Sequence, residues 1–267
     1  MRFIYVKKIF SFLASLILVL GLVACISYQK KPIPSVNKNY SMPFENVSVQ
    51  GQVEVKVTQG KHWSLNVYGP ADIVQNPAVI KRDVHGFSIK VPENLARKYM
   101  RPTVVSVTAP VLRNLVLQDG VIFSGRDLQV SNLQISASGT NDVTLQGTLY
   151  AGSTEINQQG SGKIALAWLQ SENVKITVSK SGLVLLAGVG KDLKVDLSGS
   201  AYLDSKYFRV SNLNIKARNK AHAEVFAKRR LIATVNDQAN IYYYKRPNFM
   251  QIYPENSGNV LLLKPEN

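Results

Sequence analysis

The chain is poor in the residues that most often declare a chemistry. Its 267 residues include one cysteine, three histidines and two tryptophans. A single thiol excludes a disulfide framework and any zinc site built on several thiolates. His62, His85 and His222 include no two at metal-ligand spacing, so each reads as a turn or solvated side chain. Acidic residues are scarce too: 17 Asp and Glu face 32 Lys and Arg, leaving a net charge of +15. Helical periodicity is almost missing, and its one candidate, Glu93 to Met100, reads as a charged loop. Nothing in the composition asks for a cofactor. What remains is 45% apolar, enough for a sizeable core and too much for a disordered chain. The length suits two domains or one large all-β domain.

The first segment is distinctive. Arg2, Lys7 and Lys8 precede 15 uncharged residues from Ile9 to Val23. That run is short for a membrane-spanning helix, which needs about 20 apolar residues, and suits the core of a signal peptide. It ends Leu22-Val23-Ala24-Cys25, which resembles the bacterial lipobox. The resemblance implies cleavage between Ala24 and Cys25 and acylation of the Cys25 thiol and its new amino group. Ile26, where an aspartate would retain the protein at the inner membrane, implies the outer membrane. Residues 25–41, with Pro32, Pro34 and no apolar periodicity, read as a tether, and 42–267 as the folded body. The mature chain keeps 29 basic residues against 17 acidic, or +12, so most of the charge faces the periplasm or the outside.

Beyond Pro110 the sequence repeats itself. Taking Asp119, Gly139, Gly160, Lys180, Gly199, Asn219, Asp237 and Asn256 as corners, the spacings are 20, 21, 20, 19, 20, 18 and 19. Four residues before them stand Leu115, Ile135, Ile156, Ile176, Val195, Ile215, Ala233 and Ile252. Four residues after stand Phe123, Val143, Ile164, Val184, Leu203, Ala223, Ile241 and Val260. All sixteen are apolar, and apolar alternates with polar around them, the period of a half-buried strand. A unit of strand, corner, strand and return loop buries nothing alone but builds a continuous core when stacked. The predicted fold is all-β: a single-domain, right-handed parallel β-helix with coils of about 20 residues. Eight coils at about 4.8 Å would span roughly 40 Å.

The segment before the repeats carries a resemblance. Phe44, Val47 to Val49, Gly51, Val53 to Val57 and Gln59-Gly60 follow one another as they do at the start of the bacterial GIN-domain family of auto-transporter adhesin heads. Gly69, Asp72, Val104 to Thr108 and Pro110-Val111-Leu112 continue the match. Ser138-Gly139-Thr140, Gly160-Ser161-Gly162 and Ser198-Gly199-Ser200 supply its glycine corners. The resemblance runs from about Phe44 to Pro247 and implies a β-helical envelope protein with no established activity. Late in the chain the corners change to Arg218-Asn219-Lys220 and Asn236-Asp237-Gln238, and the family's ending becomes Tyr244-Lys245-Arg246-Pro247. Asn and Asp tolerate left-handed backbone, so the fold should survive these changes.

Catalysis finds little support. There is no Gly-x-Ser-x-Gly elbow entering a helix. A polysaccharide lyase or hydrolase, the alternative reading of a β-helix, needs two or three carboxylates on one face. Glu155 and Asp196 point outward, but Gln134, Lys175 and Lys194 interrupt them in the stack, and Asp119, Asp142 and Asp237 sit at or near corners. The strongest feature is charge. From Lys206 to Arg246 ten basic residues face Glu224 and Asp237, +8 in 41 residues. Lys216, Arg218, Lys220, Lys228, Arg229 and Arg230 are the candidate anion-binding residues, for lipopolysaccharide or another anionic envelope polymer; a solvated face that opposes aggregation is the competing reading. No nucleic-acid-binding module is recognisable. Tyr242-Tyr243-Tyr244, Phe249 and Tyr253 read as a cover for the end of the core or a sugar-stacking platform.

Overall fold

The computed structural model describes residues 35–99 and 102–263. Ala24 and Cys25, with the whole segment read as a signal, lie outside the described residues. From Asn114 onward the chain winds as a parallel solenoid of strands β8 (Asn114–Gln118), β9 (Ile122–Gly139), β10 (Asp142–Gly160), β11 (Lys163–Lys180), β12 (Leu183–Leu197), β13 (Tyr202–Ala217), β14 (His222–Val235), β15 (Asn240–Tyr243), β16 (Phe249–Pro254) and β17 (Asn259–Leu262). Successive strands pair parallel, one coil on the next. The eight repeats make about seven turns, because eight successive corners enclose seven intervals.

Both interior ladders form as the spacing predicts. Leu115, Ile135, Ile156, Ile176, Val195, Ile215, Ala233 and Ile252 pair in sequence along one leg. Phe123, Val143, Ile164, Val184, Leu203, Ala223, Ile241 and Val260 do so along the second. All are buried except Ile252 and Val260, half-buried in the last coil, where a neighbour stands on one side only. Burying the Val, Leu, Ile and Phe side chains among them contributes about 1.5–3 kcal/mol each. The corner residues share one conformation, with φ from 57° at Asn256 to 126° at Gly160. At Gly160 a Cβ would stand 2.4 Å from the Gly139 carbonyl oxygen, so that corner admits glycine alone.

Three features depart from the sequence reading. The return is a third strand leg rather than a loop: β9 to β14 each run past a bend, and the alternation of buried and exposed residues breaks at Arg126-Asp127 and again at Ser131-Asn132. Asp127, Gly147 and Gly188 take positive φ at these second bends. Ser35–Tyr40, assigned to the tether, is strand β1, antiparallel to β4 (Ser64–Pro70), with the Tyr40 ring 5.1 Å from that of Phe87. The body therefore begins at Ser35, since Val36 and Tyr40 give the segment an apolar side that packs on the core. Glu93–Lys98, read as a loop, is helix α2. Pro92 enters it at φ −61°, Glu93 pairs with Arg97 one turn on, and Ala96 is buried.

The remaining elements close the amino-terminal end. β2 (Asn46–Gln50) and β3 (Val53–Gln59), joined at Gly51, form the first coil against β8 and β9. Next to them lie β6 (Gly86–Lys90) and β7 (Thr103–Ala109), and then the antiparallel β4 and β5 (Ile80–Arg82). The short helix α1 (Ala71–Val74) buries Ile73 and Val74 beside β4.

Candidate functional site

The basic stretch does not fold into one patch. Lys216 and Arg218 alternate with the buried Ile215 and Ala217 on the first leg, and Lys220 follows the corner at Asn219; all three are exposed. Arg218 is partly neutralised by Asp196 at 3.2 Å. Lys228, Arg229 and Arg230 lie elsewhere on the coil, at the bend between the third leg and the first. The Arg230 guanidinium sits 5.5 Å from the Phe249 ring centroid. Of the six candidates, the coil therefore brings together two sets of three.

Lys206 is committed to structure. Its Nζ donates to Glu224 at 2.8 Å and stands 3.2 Å from Asp204. Tyr202 and Tyr244 also donate their hydroxyls to Glu224, each at 2.6 Å. Burial pushes the Glu224 carboxyl up, but these three donors outweigh it and hold the group at about 2. Tyr244 is pushed up to about 12, first by burial and then by its bond to the carboxylate. Lys206 is raised above the ordinary ammonium value, chiefly by its bond to Glu224. The His222 ring lies between those of Tyr202 and Tyr242, at 4.8 and 4.9 Å. The aromatic run is thus divided: Tyr243 is buried in the core, Tyr242 and Tyr244 join this outer network, and Phe249 and Tyr253 are exposed on β16.

Two open grooves lie along the outer side of the third leg. One, of about 570 Å³, is lined by Tyr150, Gln170, Glu172, Lys191 and Ser211 among others. The second, of about 520 Å³, is lined by Arg209, Phe226, Lys228, Tyr244 and Lys245, with Val210 and Ser211. Arg209 and Lys245 belong to the basic stretch but not to the six candidates, because no periodicity places the third leg.

A family model described as "Putative auto-transporter adhesin, head GIN domain" matches residues 43–247. The chain belongs to this family. Solved structures share its fold. One titled a putative adhesin, from Parabacteroides merdae, superposes with a TM-score of 0.75 at 17% identity, covering 86% of this chain and 96% of that one. A putative adhesin from Bacteroides fragilis gives 0.66 at 17% identity, covering 86% and 97%. A putative lipid binding protein from Parabacteroides distasonis gives 0.71 at 18% identity, covering 85% and 97%. At such identities the likeness speaks for the fold. No curated protein matches the chain.

The GIN domain's carboxylates are spread out, and most are engaged; Glu172, in the 570 Å³ groove, is exposed and has no ion pair among the described residues. Asp142 pairs with Lys163 at 3.1 Å, Glu155 with Lys175 at 2.8 Å, and Asp196 with Arg218. Asp119 and Asp237 occupy corners at φ near 60°, accepting from the Gln50 side chain and the Asn219 backbone N–H respectively. Among the described residues no group of three His, Cys, Asp or Glu is placed to hold a metal ion.

Proposed function

We propose that this GIN domain is a non-catalytic, adhesin-like module of the bacterial cell envelope. Acylated Cys25 holds it at the membrane, outer rather than inner, and its basic carboxy-terminal coils dock an anionic envelope polymer such as lipopolysaccharide. One observation carries the docking role. Of the ten cations between Lys206 and Arg246, only Lys206 and Arg218 form ion pairs among the described residues; the other eight are left to solvent or to a partner. Such a concentration of one sign attracts polyanions over long range. Glu172 is the one carboxylate lining either groove, with no second beside it, which favours binding over glycan cleavage, since cleavage needs an acid and a base facing one sugar.

The test is binding of the full chain, purified in detergent, to immobilised lipopolysaccharide. Changing Lys216, Arg218, Arg229 and Arg230 together to Glu should weaken binding at least tenfold. Binding should also fade with salt, because the Debye length drops from about 10 Å at 0.1 M to about 3 Å at 1 M. Equal affinity of both proteins, or indifference to salt, would make the basic coils a merely solvated face. The anchor is tested separately: Cys25→Ser should abolish labelled-palmitate incorporation and leave an unprocessed precursor, and label still entering the variant would disprove it.

A further inference from the structure

Between the corners at Asn219 and Asp237 the repeat shortens to 18 residues, and the loss falls on the third leg. Ser205 pairs with Val225 and Val210 with Ala227, so the four residues from Lys206 to Arg209 stand opposite Phe226 alone. The shorter coil leaves the outer side of its neighbour uncovered, and the 520 Å³ groove lies there. Arg209, Lys228 and Lys245 line it, and no carboxylate does. None of the three has an ion pair among the described residues. Three cations around one cleft repel one another, an arrangement that an anion in the cleft would relieve. The aromatic walls are Phe226, with the Lys245 ammonium 6.0 Å from its centroid, and Tyr244, fixed by its hydroxyl bond to Glu224.

This basic end is continuous with the longer groove, since Ser211 lines both. A ladder of outward side chains on the third leg, Gln129, Tyr150, Gln170, Val189 and Arg209, runs in register into it. Each step along that ladder is about 4.8 Å, so five side chains span roughly 19 Å. Side-chain amides and an exposed phenol ring at this spacing suit a chain of linked sugars, with hydroxyls for the amides and an apolar ring face for Tyr150. A lipid headgroup would occupy the basic end and leave the rest of the ladder unused.

We propose that the groove binds an acidic polysaccharide. A uronate carboxylate is held by Arg209, Lys228 and Lys245 beside the Phe226 and Tyr244 rings, and preceding sugars lie along Gln170 and Tyr150. This rests on the docking role above and specifies its ligand. Arg209 supplies the planar fork that matches a carboxylate, and the pinned Tyr244 lowers the ordering cost of binding.

The experiment is calorimetric titration of the full chain in detergent with tetragalacturonate, with maltotetraose as the neutral probe and phosphatidylglycerol vesicles as the lipid probe. Arg209→Ser with Lys245→Ser should weaken tetragalacturonate binding at least tenfold. Lys81→Ser with Lys90→Ser removes the same charge at the amino-terminal end, on β5 and β6, and should change it less than twofold. Tyr150→Ala should weaken it severalfold without altering net charge. Lys228→Ser provides a second groove variant should the first double change lower the melting temperature. Equal losses in the two double variants, equal affinity for the neutral tetramer, no measurable tetragalacturonate binding, or groove-dependent binding to vesicles alone would overturn the proposal. If lipopolysaccharide still binds in a salt-dependent way while the groove variants leave it unchanged, the ligand assignment fails and the general docking role stands.

Discussion

Two buried amides sit one coil apart and should respond oppositely to the same kind of substitution. Asn141, 2% exposed, makes four hydrogen bonds. Its Nδ2 donates to the Leu117 and Ser138 carbonyls at 3.0 and 2.6 Å, and its Oδ1 accepts from the Gly120 and Val121 N–H groups at 3.2 and 2.9 Å. Gln158 is fully buried in the ladder between Ala137 and Val178, and neither of its amide atoms has a partner among the described residues. Leaving a buried polar group without a partner costs about 1–3 kcal/mol. Gln158→Met keeps the volume and removes the orphans, so it should stabilise by roughly 1–3 kcal/mol. Asn141→Leu strands the Gly120 and Val121 N–H groups and takes a donor from the Leu117 carbonyl, while the Ser138 carbonyl keeps the Asp119 N–H; we expect a loss of roughly 3–4 kcal/mol. For a body of this size 1 kcal/mol moves Tm by about 2–4 °C, so Gln158→Met should raise it by several degrees and Asn141→Leu lower it by about 10 °C. Scanning calorimetry, supported by urea melts with unchanged slope, reads both. A lower Tm for Gln158→Met would refute the reasoning, since it would mean that the amide is satisfied by water inside the coil.

Ile176→Asp puts a carboxylate between Ile156 and Val195 and should cost about 3–5 kcal/mol, whereas the outward Lys175→Asp loses only an exposed pair with Glu155 and should cost about 1 kcal/mol or less; equal shifts in Tm would refute the inward and outward assignment. Lys180 holds a left-handed corner at φ 63°, a conformation that costs a side chain without a local hydrogen bond about 1 kcal/mol, so Lys180→Asn should raise the urea midpoint, and a fall would refute it. The Glu224 carboxyl lies at about 2 in the folded chain against an ordinary 4.5, so its stabilisation is complete above about pH 5 and is lost as pH falls toward 2. The stability gap between wild type and Glu224→Gln should therefore narrow across that window, and a gap independent of pH would count against the network.

The sequence by itself determined the stacked part of this protein. Two apolar ladders and one left-handed corner follow from a repeat near 20 residues, because stacking forces equivalent residues of successive coils into one environment, and that environment selects side chains that alternation makes visible. Even Lys180, chemically unlike the glycines above and below it, was legible by position. Where stacking is not translational the sequence was silent. The third leg has only about three residues between bends, too few for alternation to register, so the groove and its residues Arg209 and Lys245 could not be read. β1 and β4 join the sheet antiparallel, outside the repeat, so Ser35–Tyr40 passed for tether. The basic stretch looked continuous because sequence orders residues along the chain, while the coil distributes them around a circumference. That winding sends Lys216 and Arg218 to one leg and Lys228 to another, and it brings Lys228 beside Arg209 and Lys245, 19 and 17 positions away in the sequence. Burial, acting residue by residue, could be read from the sequence; the meeting of like charges in one cleft depends on coil length and closure, which only the tertiary structure decides.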